Sequence, residues 1–156
     1  MRSNFTAGRP TLRSHGSTLV EGVVVMSLVG IVAAFVVPRF TRLGNEARAS
    51  EVVALSGYLQ HAAQTAHAQS LASGSHLSEI TIAGRTVNLK NGYPDAGADG
   101  IRSAVLDADG FAATEGDDFV TFTRADAPSE NQCSVTYRTA KADSAATITN
   151  IDTSGC

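Results

Sequence analysis

Hydrophobic and polar positions follow three different rules along this chain. Gly22–Val37 (GVVVMSLVGIVAAFVV) runs sixteen residues without a charge. Residues 17–20 extend it toward the roughly 20 apolar residues that cross a bilayer core. From Arg39 to about Ser73 the apolar positions take helical spacing. Phe40, Leu43, Ala47, Ala54, Tyr58, Ala62 and Ala66 recur at intervals of three, four or seven. They predict the buried face of an amphipathic helix, with Arg39, Arg42, Glu46, Arg48 and Glu51 solvating the other side and Gly74 as C-cap. After Gly74 the period becomes two. Ser78–Ala83 and Arg85–Leu89 flank Gly84 as a hairpin, and Asp118–Arg124, Cys133–Thr139 and Ala146–Ile151 predict three more strands. Asp99–Leu106 predicts one short helix in a Gly- and Asp-rich connection. The expected fold class is α+β, a long N-terminal helix packed against a small antiparallel β-sheet head.

Within that helix Pro38 lacks an amide donor and clashes with the preceding turn, which predicts a kink near Ala34–Pro38. Gly30 and Ala34, four apart, make a small face that permits close helix approach. Gly44 and Gly57 each weaken the helix by about 1 kcal/mol relative to Ala. The whole helix would run roughly 80 Å at 1.5 Å per residue.

Composition narrows the class. A chain of 156 residues, 43% apolar and 17% charged, suits one domain, or one domain plus an appendage. The formal net charge of −3 argues against nucleic acid as the main partner. Charge is unevenly placed. Residues 1–16 carry Arg2, Arg9 and Arg13 and no acid. A basic stretch before an apolar run marks a membrane-directed N-terminus, with the basic side held in the cytoplasm. An ordinary secretory signal puts its small-residue cleavage site after the apolar run, and Ala33-Ala34 within the run is only a weak substitute. An uncleaved anchor is the other open alternative.

Glu21 stands inside this apolar segment. An ionised carboxylate at membrane depth costs on the order of 2.5–3.5 kcal/mol and usually marks function. Thr18-x-x-Glu21 has capping-box spacing, a purely local role. If the chain is cut after Gly16, Ser17 supplies a free α-amine, a cation that could pair with the Glu21 carboxylate of a neighbouring helix. The acid then becomes a subunit-docking device.

Gly16-Ser-Thr-Leu-Val-Glu21 followed by GVVVMSLVGIVAAFVVPRF resembles the N-terminal signature of type IV pilins and pseudopilins. That family has a basic leader ending in Gly, Glu at the fifth mature position and Pro near the twenty-second. Counted from Ser17, Glu21 is fifth and Pro38 is twenty-second. Ser17 stands where the family usually has Phe or Met, and Gly22 replaces a bulky apolar residue. The resemblance implies cleavage between Gly16 and Ser17 by a prepilin peptidase, which then N-methylates Ser17. It divides the chain into a leader (1–16), a long helix (17–73, of which 17–38 is the membrane or fibre-core segment) and a globular head (74–156), a type IV pilin-like fold. Cys133 and Cys156 are the only cysteines. In an exported chain they should bond, and closing that loop stabilises by roughly 3 kcal/mol. Pilins likewise close a C-terminal loop with a disulfide. Asn91-Gly-Tyr-Pro94 and the terminal Thr-Ser-Gly-Cys156 look like the mannose-sensitive haemagglutinin (MSHA) branch.

The resemblance implies a structural pilus subunit. Its partners are identical copies in a helical fibre, an assembly ATPase and an inner-membrane platform protein. It is single-pass in the bacterial inner membrane before assembly and extracellular afterwards, in a fibre for attachment. A minor pilin or type II secretion pseudopilin shares every N-terminal feature. A monomeric, membrane-anchored periplasmic binding module is the alternative from a different class.

Chemistry of other kinds is thinly represented. His61 and His67 lie about 120° apart around a helix, poor chelating geometry. Asp95 with Asp99, and Asp107-x-Asp109-Gly110 with Glu115, Asp117 and Asp118, could invite calcium. The second stretch lacks the distal bidentate Glu of an EF-hand loop, so surface turns are the better reading. Gly-x-Ser-x-Gly, Cys-x-x-Cys and phosphate-cradling loops are lacking. No catalytic residue, metal or cofactor is therefore expected, and the chain reads as structural. With no Trp and only Tyr58, Tyr93 and Tyr137, no sugar-binding residues can be named.

Overall fold

The computed structural model describes residues 19–74, 77–105 and 108–156; the side chains of Val37, Pro38, Phe40 and Thr41 lie outside that description. The chain divides after Phe40. Helix α1 (Leu19–Ala72) belongs to both units, its first part to the first and its remainder to the second. Helical backbone runs through Pro38.

The second unit is α+β, the remainder of α1 packed against two antiparallel sheets. β1 (Glu79–Ile82), β2 (Arg85–Lys90) and β3 (Tyr93–Pro94) form one sheet. β4 (Phe111–Glu115), β5 (Phe119–Arg124), β6 (Ser134–Arg138) and β7 (Thr147–Asp152) form the other, each strand pairing with the next. Short helix α2 (Ile101–Ala104) lies between the sheets in sequence, inside the segment expected to be helical. A 3₁₀ turn, Glu130–Gln132, leads into β6.

Two tight turns set the register of the first sheet. Ile82 opposes Arg85 and Lys90 opposes Tyr93, so Ala83-Gly84 and Asn91-Gly92 are two-residue loops. All four residues have positive φ (48°, 79°, 53° and 78°), the twist that lets a two-residue loop follow the strands. Asn and Gly tolerate this conformation; Ala83 does so at a steric cost. In the second sheet Val120 faces Tyr137 and Phe122 faces Val135, with a register shift between β6 and β7 at Thr136/Tyr137. β3 and β4 were not foreseen. β3 is only two residues long, and β4 (FAATE) is too rich in Ala and too short of β-branched residues to declare itself.

The helix buries a different face from the one its spacing suggested. Val52, Leu55, Leu59, Ala63 and Ala66 enter the core, joined by Ile80, Val87, Ile101, Val120, Phe122, Val135 and Tyr137. Of the seven residues expected inside, Leu43 and Tyr58 are 60% and 55% exposed, Ala47 and Ala54 are exposed, Ala62 is half-buried and Ala66 is buried; Phe40 falls outside the description. The reason is volume. Two stripes share the helical period, and the one carrying Val52, Leu55 and Leu59 removes more apolar area from water than one built mostly on alanine.

Candidate assembly surfaces

The first surface is the apolar part of α1. Leu19–Val36 is long and apolar enough to cross a membrane, and none of it is buried. Leu19, Val20, Met26 and Phe35 are 69–84% exposed. Added Cβ atoms at Gly22 or Gly30 would meet nothing within 4 Å, so the helix surface there is open to a close neighbour. Ser27 returns its hydroxyl to the Val23 carbonyl at 2.8 Å, which hides a polar group from an apolar surround. Glu21 sits exposed in the first turn. Gly16, Ser17 and Thr18 lie outside the described residues, as does the side chain of Pro38.

The second surface is the head, locked to its own stretch of helix by contacts that periodicity did not foretell. Cys133 and Cys156 are bonded, with Cα atoms 4.8 Å apart and 23 residues of separation. Around this staple, Arg48 Nε meets Asp126 Oδ2 at 3.3 Å and Arg48 Nη1 donates to the Cys156 carbonyl at 3.2 Å. Arg124 pairs with both Glu51 and Asp126 at 2.5 Å, and its guanidinium lies 5.5 Å from the Phe111 ring centre. The hydrogen bond from Arg124 holds the Asp126 carboxyl below its ordinary pKa of 3.8. Arg48 and Glu51 were expected merely to solvate the helix; Arg48 is half-buried and both are ion-paired. Their spacing of three carries no hint of partners more than 70 residues away.

Four of the residues weighed for metal binding, His67, Asp95, Glu115 and Asp118, have other partners. His67 stacks on Tyr93 with ring centres 4.0 Å apart and planes 6° from parallel, and its Nδ1 lies 3.0 Å from the Gly92 carbonyl oxygen. Tyr137 donates to the Pro94 carbonyl at 2.7 Å, and burial pushes its phenol pKa up. Asp95 Oδ1 accepts from the Ala96 amide and the Thr139 hydroxyl. Asp118 takes Arg138 and Lys141, and Glu115 takes Arg102. Among the described residues no group of three or more His, Cys, Asp and Glu is placed to hold a metal ion. Asp107 is not among them.

Among the concavities bordering α1, two lie on opposite flanks at 100° per residue. Gln60, Ala63 and Gln64 face Tyr93, Tyr137 and Ile148 across one of about 390 Å³. Tyr58, His61, Ala62 and Thr65 face Ile82, Ala104 and Val105 across the other, about 440 Å³ and mostly apolar. Neither brings together an acid, a base and a nucleophile. No family model, curated protein or solved structure matches the chain.

Proposed function

We propose that this chain is a type IV pilin of the MSHA-like kind, a structural subunit that polymerises through its N-terminal helix into a surface fibre for attachment. The observation that carries the reading is the unburied apolar segment Leu19–Val36 leading into a disulfide-stapled head. Such a surface needs a cover. Lipid supplies it before assembly and the helices of other copies afterwards, so little hydrophobic energy changes hands in the transfer. The sequence adds the rest: Gly16 before the cut, Ser17 as the new amine, and Glu21 five places in. A prepilin peptidase would cleave and N-methylate at Ser17; an assembly ATPase and a platform protein would move the subunit from the inner membrane into the fibre. Glu21 docks on the Ser17 amine of the neighbouring copy and penalises mis-stacked helices. The α+β head with a closed C-terminal loop supports this pilin-like reading, and the chain then has a structural role, with no catalytic one.

Intact mass of the membrane-associated protein is the first test. A chain beginning at N-methylated Ser17 supports the reading, whereas cleavage after Ala34 makes this an ordinary secreted domain. The second is Glu21→Val, expected to be processed normally yet to leave fibres scarce. Normal fibres from that variant would remove the docking role. Abundance in sheared fibres distinguishes a major subunit from a minor pilin or pseudopilin.

A further inference from the structure

The sequence holds one Asn-Gly pair, Asn91-Gly92; every other asparagine precedes Phe, Glu, Leu, Gln or Ile. An asparagine can lose its side-chain amide by internal cyclisation. The reaction runs best before glycine, because no side chain obstructs the backbone nitrogen that attacks. Packing fixes the glycine in place here. Gly92 has a φ of 78°, and a Cβ on it would lie 3.2 Å from His67 Nδ1 and 3.5 Å from His67 Cε1. The close seat of the β2–β3 turn on helix α1 thus requires the very residue that opens Asn91 to attack.

The nucleophile is free and the amide is accessible. Asn91 is exposed, and no hydrogen bond from the Gly92 amide is found among the described residues. What restrains the side chain is its donation from Nδ2 to the Ala140 carbonyl at 2.8 Å. That contact stands beside two more between the same region and the end of β6, Tyr137 to the Pro94 carbonyl and Thr139 to Asp95. Ala140 itself is buried, so its carbonyl has little access to a substitute donor.

We propose that Asn91 is a site of spontaneous deamidation, restrained by its bond to Ala140, whose conversion frees the β6–β7 connection from the β2–β3 turn. The Gly92 nitrogen gives up its proton and bonds to Asn91 Cγ; the Cγ–Nδ2 bond breaks, and Nδ2 leaves with that proton as ammonia. Water then opens the cyclic imide. Addition at Cγ restores the backbone with an aspartate side chain, and addition at the backbone carbonyl carbon reroutes the chain through Cγ as isoaspartate. No electrons are gained or lost. Either product places a carboxylate where a donor stood, so the Ala140 carbonyl loses its partner and meets a second acceptor. This chemistry belongs to the head alone and stands apart from the assembly reading.

Full-length chain in detergent, held for days in neutral buffer either folded or unfolded in guanidinium, tests it. The tryptic peptide 91–102 contains no other Asn and no Gln, so an amide-to-acid mass shift in it belongs to Asn91. A fresh sample digested in parallel sets the baseline. Conversion is expected in the folded chain, with isoaspartate among the products, and about fivefold faster in the unfolded chain, which lacks the restraining hydrogen bond. A folded chain that stays intact while the unfolded one converts overturns the site. Equal rates overturn the restraint, and aspartate with no isoaspartate overturns the cyclisation. Hydrogen exchange tests the release. Asn91→Asp reproduces one product, and Asn91→Gly removes the donor while keeping a residue suited to positive φ. Both should speed exchange of the Lys141 and Ser144 amides, which bond across the β6–β7 connection, by about fivefold. Unchanged exchange in both variants overturns the release.

Discussion

Asp126 shows how much a single carboxylate can join. It accepts from Arg124 and Arg48 together, and so ties the β5–β6 connection to the helix and to the last residue of the chain. Its pKa lies below the ordinary 3.8 because the Arg124 hydrogen bond favours the ionised form. A depressed carboxylate pKa contributes stability that is complete above the unfolded value and is lost as pH falls through the folded one. The carboxylate is solvent-exposed, so the contribution is small and screened by salt. Asp126→Asn should therefore melt slightly below the native chain at neutral pH. The gap should close in acid below 3.8 and narrow in concentrated salt, as thermal melts across pH would register. A gap that stayed constant into acid would mean that Asp126 acts by packing instead of charge.

At the scale of elements, the two faces of α1 give the sharpest contrast. Leu59 is fully buried and its neighbour Tyr58 is 55% exposed. Leu59→Ala should cost about 2–5 kcal/mol in chemical denaturation, whereas Tyr58→Ser should stay within about 0.5 kcal/mol. Equal losses would restore the face that spacing suggested. The helix itself was legible: its extent, its end near Gly74 and its apolar first part follow from hydropathy alone, because those features are local. The choice between two stripes was not, since it depends on which side chains fill the space left by Ile80, Phe122 and Val135. The hairpin at Gly84 and strands β5, β6 and β7 were legible from alternation. β4 was not, because Phe111-Ala-Ala-Thr-Glu115 gains its strand character from pairing with β5 along its whole length. The apolar segment was legible; the Arg48–Asp126 and Arg124–Glu51 pairs were not, because nothing in a linear pattern brings residues so far apart together.

For the whole molecule, one covalent bond closes the C-terminal segment. Replacing Cys133 and Cys156 together by Ser should lower unfolding free energy by about 3 kcal/mol in the chain-entropy account. Urea melts of the two forms would measure the difference, and an unchanged midpoint would show that the ion pairs around Arg48 already confine the C-terminal segment. The same bond makes a ring of everything from Cys133 to Cys156, including the exposed Lys141 in the connection between β6 and β7. A trypsin cut after Lys141 therefore releases nothing. The nicked chain should migrate as one piece without reductant, one water heavier, and part into two fragments only when the disulfide is reduced. Proteolysis at this exposed loop would thus leave the full mass of the chain in place until a reductant opens the ring.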